Sequence, residues 1–120
     1  MCTGLGLDLC EISRMEKLLS DDRFLDRFFS PAEGEYIRSR GKGAAQSMAG
    51  IFAAKEALAK ALGTGIDFDL REAEITHDEK GRPSYALSGT LKERLGSDRL
   101  WLSITHEAGF AAAVCLRESI

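Results

Sequence analysis

The chain has 120 residues, 44% apolar and 29% charged, with a net charge of −3. That length suits one domain spanning residues 1–120 with a core of its own, and the acidic balance argues against a general nucleic-acid binder. The longest apolar run, Phe110 to Leu116, is too short to span a bilayer, no charged-then-apolar leader opens the chain, and the three cysteines lack zinc-ligand spacing, so the expectation is a cytoplasmic protein with reduced thiols.

Thr3 to Leu9 predicts a first strand, because Leu5, Leu7 and Leu9 alternate with Gly4, Gly6 and Asp8. Asp8 shares a face with the two glycines. That face is expected to be open, turned either to water or to a cation or ligand. Ile12 to Leu19 predicts a short helix, with Ser13 and Glu16 spaced as a capping box. A second helix follows through Phe29, capped by Ser20 or Asp21, with Phe24, Leu25, Phe28 and Phe29 as its apolar stripe. Arg14, Lys17, Arg23 and Arg27 could form a cationic patch across these two helices or remain solvated. Ser30-Pro31-Ala32-Glu33 is a strong start for a third helix, which runs to about Arg40.

A long helix is expected from about Ala44 to Leu62, ended by Gly63-Thr64-Gly65. Met48, Ile51, Phe52, Lys55, Leu58, Ala59 and Leu62 share one face of it. Lys55 lies inside that apolar face and must either snorkel out or meet a buried partner. Glu56 and Lys60, one turn apart, fit either an ordinary surface ion pair or part of a site. The pattern then turns to strands: Glu72 to His77, a turn at Asp78–Gly81, and a return from Arg82 to Leu87. A short helix from Ser88 to Leu95 follows. Two last strands, Leu100 to Thr105 and Phe110 to Leu116, are joined by a turn at His106–Gly109, and Phe110 to Leu116 reads as covered on both faces. The layout is α+β, with helices clustered early and an antiparallel sheet later.

Two carboxylates stand out, Asp8 in a glycine-rich strand and Glu56 on the long helix. Two oxygen ligands with open positions suit Mg²⁺, whose remaining ligands are usually waters and phosphate oxygens. Lys60 could reach the same phosphates as a point charge. No Walker loop and no GxGxxG motif is present, and no Ser or Cys is paired with a base. The two histidines, His77 and His106, sit at strand ends, where a structural role is common.

Four segments then carry a resemblance. Gly6-Leu7-Asp8-Leu9-Cys10-Glu11-Ile12-Ser13-Arg14 resembles the opening motif of the holo-[acyl-carrier-protein] synthases, which are 4′-phosphopantetheinyl transferases. Phe52-Ala53-Ala54-Lys55-Glu56-Ala57, followed by Lys60 and Gly63-Thr64-Gly65, resembles their second motif. Gly81-Arg82-Pro83 and Ser103-Ile104-Thr105-His106 resemble two further segments in the same order.

The resemblance implies the 4′-phosphopantetheinyl transferase fold, with the long central helix packed on an antiparallel sheet, in a homotrimer with sites between subunits. It implies transfer of the phosphopantetheine arm of coenzyme A to a serine of an acyl carrier protein, releasing adenosine 3′,5′-bisphosphate. Asp8 and Glu56 would hold Mg²⁺, and Lys60 would offset phosphate charge. Gly63, Gly65, Arg82, Pro83, Ser103 and His106 would lie along the coenzyme A site, with His106 coming from a neighbouring subunit. Arg14, Arg23 and Arg27 would receive the acidic carrier protein. Glu56, a metal-bound water and Glu107 are the candidates for taking the serine proton. One departure is Ile51, where the family commonly has arginine; Arg40 or Lys42 could supply the missing phosphate contact. Two other activities stay open: a non-catalytic module binding coenzyme A or carriers, and a metal-dependent phosphohydrolase.

Overall fold

The computed structural model describes residues 1–120. Strand β1 (Cys2–Glu11) is followed by helices α1 (Ile12–Leu18), α2 (Asp22–Phe28), α3 (Pro31–Ser39) and α4 (Ala44–Leu62). Then come β2 (Ala73–His77), β3 (Pro83–Leu87), α5 (Gly89–Leu95), β4 (Arg99–Glu107) and β5 (Phe110–Glu118). The strands form two antiparallel sheets rather than one: β1-β5-β4, and the hairpin β2-β3. The amino-terminal strand thus joins the carboxy-terminal hairpin, with Leu5 opposite Leu116, Leu7 opposite Val114 and Asp8 opposite Ala113.

Helix α4 matches its expected bounds, and Gly63 closes it in the left-handed conformation at φ 78°. It is not a one-sided amphipathic helix, however. Fourteen of its 19 residues are buried, because it is wrapped by β1, β5, α1 and α3. Alanine makes this possible, since small side chains let neighbours close in on every side.

Strand β1 shows the closest approach and corrects the reading of its glycine face. A Cβ at Gly6 would fall on the carbonyl oxygen of Ala57, and one at Gly4 on that of Ala61. The glycine face is therefore pressed on the α4 backbone and is not open. The leucines point the other way, with Leu5, Leu7 and Leu9 each more than 60% exposed. Alternation announced two faces, but the space needed by α4 decided which one goes inward.

The capping box of α3 forms as read: the Ser30 hydroxyl accepts from the Glu33 backbone N–H and the Glu33 carboxylate from that of Ser30. Asp21 caps α2. The Ser13–Glu16 box does not form, because β1 stays paired through Glu11 and runs directly into α1; the Ser13 hydroxyl donates to the Glu11 carboxylate instead. Ser88 stands at the N-cap of α5, but its side chain makes no capping hydrogen bond. Glu72 supplies that cap from outside, accepting from the Thr90 hydroxyl and the Leu91 N–H. The β4–β5 turn is tighter than expected. Cross-strand pairing continues through Glu107 and Phe110, leaving Ala108 and Gly109 at φ 52° and 84° as a two-residue connection. In β5, Ala111, Ala113 and Cys115 are buried, whereas Ala112, Val114 and Leu116 on the outer face are only half-covered. That corrects the reading of β5 as covered on both faces.

Lys55 meets a buried partner. Its ammonium lies 2.8 Å from the Glu33 carboxylate, with both side chains fully buried, and it also donates to the carbonyls of Leu70 and Ala73. Glu33 accepts in addition from the Ile75 N–H. Burial pulls the Lys55 pKa down, with Glu33 opposing. No helix is long and apolar enough to cross a membrane.

Candidate active site

The close seating of β1 on α4 brings together residues about 50 positions apart in the chain. Asp8 follows the two glycines on the inward face, and Glu56 and Lys60 lie one turn apart on the facing helix. The Lys60 ammonium is 3.2 Å from the Asp8 carboxylate and donates to the Leu7 carbonyl at 2.9 Å. Lys60 therefore does not form the expected surface pair with Glu56, because the strand offers it a nearer partner. Glu56 is half-buried, and its pKa is raised first by burial and then by the negative charge of Asp8. Lys60 and Arg14 oppose that shift. Two carboxylates that repel each other in a partly desolvated place fit a divalent cation. Asp8 and Glu56 would be its protein ligands, and ligands from water and substrate would complete the shell.

An apolar groove of about 510 Å³ opens beside Glu56, with Phe28, Phe52, Ile66 and Phe68 in its walls and Arg27 and Arg71 at its margin. The Arg14 guanidinium lies 5.3 Å above the Phe52 ring and that of Arg27 5.3 Å above Phe28. Both arginines thus border the aromatic cluster next to Glu56. Arg23 is exposed on α2.

The remaining residues singled out in the sequence lie elsewhere. Gly63 and Gly65 form the exposed loop after α4, both at positive φ. The Arg82 backbone N–H closes the β2–β3 turn on Asp78. Pro83 and His106 line a second cleft together with Ile51, Gln46, Arg40 and His77, and this cleft contains none of Asp8, Glu56 or Lys60. Ser103 is exposed, opposite Val114, on the face of β4 away from His106. Arg40 lies in the same cleft as Ile51, and Lys42 does not line it. The contribution of Tyr36 and His77 to this cleft was not apparent from the sequence. Tyr36 looks like an ordinary half-buried helix residue, and no local pattern links it to a strand 40 positions on.

A conserved-domain comparison defines the class: the model of the 4′-phosphopantetheinyl transferase superfamily matches residues 4–115, and the chain belongs to that family. Within it, the chain is similar to proteins named holo-[acyl-carrier-protein] synthase. The one from Treponema denticola is 48% identical over 98% of this chain and 99% of its own length. Among solved structures, the holo-[acyl-carrier-protein] synthase of Neisseria meningitidis has a TM-score of 0.87 at 32% identity, covering 99% of this chain and 100% of its own. The Bacillus anthracis synthase, solved in complex with CoA (3′,5′-ADP), has a TM-score of 0.85 at 34% identity and covers 100% of this chain and 99% of its own.

Proposed function

We propose that this chain is a holo-[acyl-carrier-protein] synthase, moving the 4′-phosphopantetheine arm of coenzyme A onto a serine of an apo acyl carrier protein. Family membership supports the reaction class, and the meeting of Asp8, Glu56 and Lys60 at the β1–α4 contact is the observation that carries the site. The serine oxygen forms a bond to the phosphorus that bears the pantetheine. The bond from that phosphorus to the bridging oxygen of the pyrophosphate breaks, and adenosine 3′,5′-bisphosphate leaves with the electron pair. The nucleophile belongs to the carrier, which accounts for the lack of a nucleophile–base pair in the sequence.

Lys60 commits two of its three ammonium protons to Leu7 and Asp8, leaving the third for a phosphate oxygen. That contact holds the pyrophosphate next to the carboxylates. Glu56, half-buried beside Asp8, remains one of three groups, with a metal-bound water and Glu107, that could take the serine proton. Mg²⁺ held by Asp8 and Glu56 would supply charge neutralisation on the pyrophosphate. Arg14, Arg27 and Arg23 offer the positive edge that an acidic carrier would meet.

The homotrimer is part of the proposal. Leu5, Leu7 and Leu9 of β1, Ala112, Val114 and Leu116 of β5, and Trp101 of β4 make one apolar outer face, and 45% of Trp101 is exposed in the single chain. Such a contiguous face calls for a partner, and a copy of the same chain supplies a matching one. Assembly also gives a role to the separation of His106 from Asp8 and Glu56, since a neighbour's cleft can complete the site. We place the protein in the cytoplasm, where its three free cysteines and its substrates suit a reducing compartment.

Apo carrier protein incubated with coenzyme A, Mg²⁺ and this chain should gain the mass of phosphopantetheine. An unchanged carrier mass, with coenzyme A intact, supports the non-catalytic module instead. Coenzyme A consumed without any carrier present supports the phosphohydrolase. Transfer that persists in excess chelator removes the metal from the proposal.

A further inference from the structure

Past Gly63 the chain leaves α4 and runs as an open loop to the Leu70 turn. Gly63 and Gly65 sit at φ 78° and 71°, which glycine adopts without strain but also without stiffness. From residue 64 to residue 68 no backbone group hydrogen-bonds to another backbone group. Yet Ile66 and Phe68 from this stretch form part of the wall of the groove beside Glu56. Phe68 is half-buried and packs against the core, so it holds its own place. Ile66 is 48% exposed and has no part in the core, so its position depends on something else.

Arg94 of α5 supplies it. Its guanidinium reaches both flanks of Ile66: Nη1 donates to the Asp67 carboxylate at 3.0 Å and Nη2 to the Thr64 hydroxyl at 3.0 Å. The same Asp67 oxygen lies 3.2 Å from the Thr64 hydroxyl, which closes a ring of side chains around the Gly65–Ile66 tip. The Arg94 hydrogen bond is the main reason that the Asp67 carboxyl is held below its usual range. A planar fork spans two acceptors at once, which a lysine ammonium on a flexible stem does poorly. Helix α5 is a firm base for this arm, because Leu91 and Leu95 are buried and Glu72 caps its first turn. Arg94, Thr64 and Asp67 do not line the groove themselves. Any influence on the reaction therefore passes through the loop. An exposed pair adds little to global stability, but a segment without backbone hydrogen bonds opens easily, and a side-chain ring decides how often it is in place.

We propose that Arg94 is a positioning residue for carrier engagement: through Thr64 and Asp67 it keeps Ile66 in the wall of the groove that runs from Glu56 to Arg27. The inference rests on the transferase reading, in which an acidic carrier meets Arg27 and its serine reaches Glu56 along this groove. A wall formed in advance spares the carrier the cost of ordering the loop.

The test follows carrier modification by wild type, Arg94→Ala, Arg94→Lys, Asp67→Ala and the double variant Arg94→Ala with Asp67→Ala, varying carrier and coenzyme A in turn. Carrier affinity is measured by calorimetry and loop motion by NMR relaxation. Arg94→Ala should raise the KM and Kd for the carrier about five- to tenfold, as when the competent loop is populated only about a fifth to a tenth of the time. The kcat and the KM for coenzyme A should stay within about twofold. Order parameters at Gly65 and Ile66 should fall from the rigid range, about 0.85, to below about 0.6, while thermal melting holds. Arg94→Lys should lie between. Asp67→Ala should match Arg94→Ala, and the double variant should be no worse than either, because both break the same ring. An unchanged carrier Kd in Arg94→Ala overturns the role, and so does a fall in kcat together with lowered melting. If wild type leaves the carrier mass unchanged but binds the carrier more tightly than Arg94→Ala does, the transferase reading falls and the positioning role stands. If wild type transfers the arm and both proteins bind the carrier equally, the transferase stands and the positioning role falls.

Discussion

Helix α4 presents two lysines that both pair with a carboxylate, and the two pairs are opposites. Lys55 and Glu33 lie 2.8 Å apart with both side chains at 0% exposure. Around them every polar atom is engaged, by the carbonyls of Leu70 and Ala73 on one side and the N–H groups of Ser30 and Ile75 on the other. Lys60 and Asp8 lie 3.2 Å apart with side-chain exposures of 54% and 18%. Their shells are incomplete, and a half-buried carboxylate, Glu56, stands beside them. A saturated ion pair has nothing left to offer a ligand and works as architecture, tying α3, β2 and the Leu70 turn to α4. An unsaturated pair at a surface has vacant hydrogen-bonding capacity and is where charge from a substrate can enter.

The largest expected effect tests the first half of that contrast. Lys55→Ala leaves Glu33 buried without its cation and should cost about 3–5 kcal/mol of stability. Denaturant unfolding measures it, and the double substitution Lys55→Met with Glu33→Leu should recover much of the loss. A small cost for Lys55→Ala alone would mean that the pair is not the strut described here. Glu56→Gln tests the second half. It should lower carrier modification by about a hundredfold or more, on the scale of losing a charge-stabilising group, while thermal melting holds or rises because a repulsion with Asp8 is gone. Melting lowered as far as in Lys55→Ala would erase the distinction between the two pairs.

Gly6→Ala probes the seating that brings Asp8 to Lys60. The added methyl falls on the Ala57 carbonyl, so strand and helix must separate, at about 1–3 kcal/mol, and activity should fall with it. Lys60→Ala sharpens the contrast further. An exposed pair contributes only about 0–1 kcal/mol, so stability should barely move while carrier modification drops. The smallest effect lies off the helix. His77 in the folded chain releases its proton below the ordinary value of 6.5. Below that value the unfolded chain holds more protons, so stability should decline as pH falls from about 6.5 towards the lowered folded value and then level off. His77→Asn should flatten that part of the pH–stability curve.

Much of this molecule was legible one segment at a time. The start of α3 at Ser30-Pro31, the span of α4 and its close at Gly63, and the β2–β3 hairpin all follow from patterns within a few residues. So does the candidacy of Asp8 and Glu56, each odd in its own local setting: an acid in a strand, and an acid at the edge of an alanine-rich helix. Local backbone geometry sets those patterns, so the sequence alone determined them. What lies between segments needed the packed chain. Which face of β1 turns inward was decided by the bare backbone of α4, which leaves room for glycine and none for leucine. That Lys55 meets Glu33 while Lys60 turns to Asp8, and that His106 sits with Arg40 and His77 away from the acids, depends on contacts between residues tens of positions apart. Periodicity within an element says which residues share a face; only packing between elements says what that face meets.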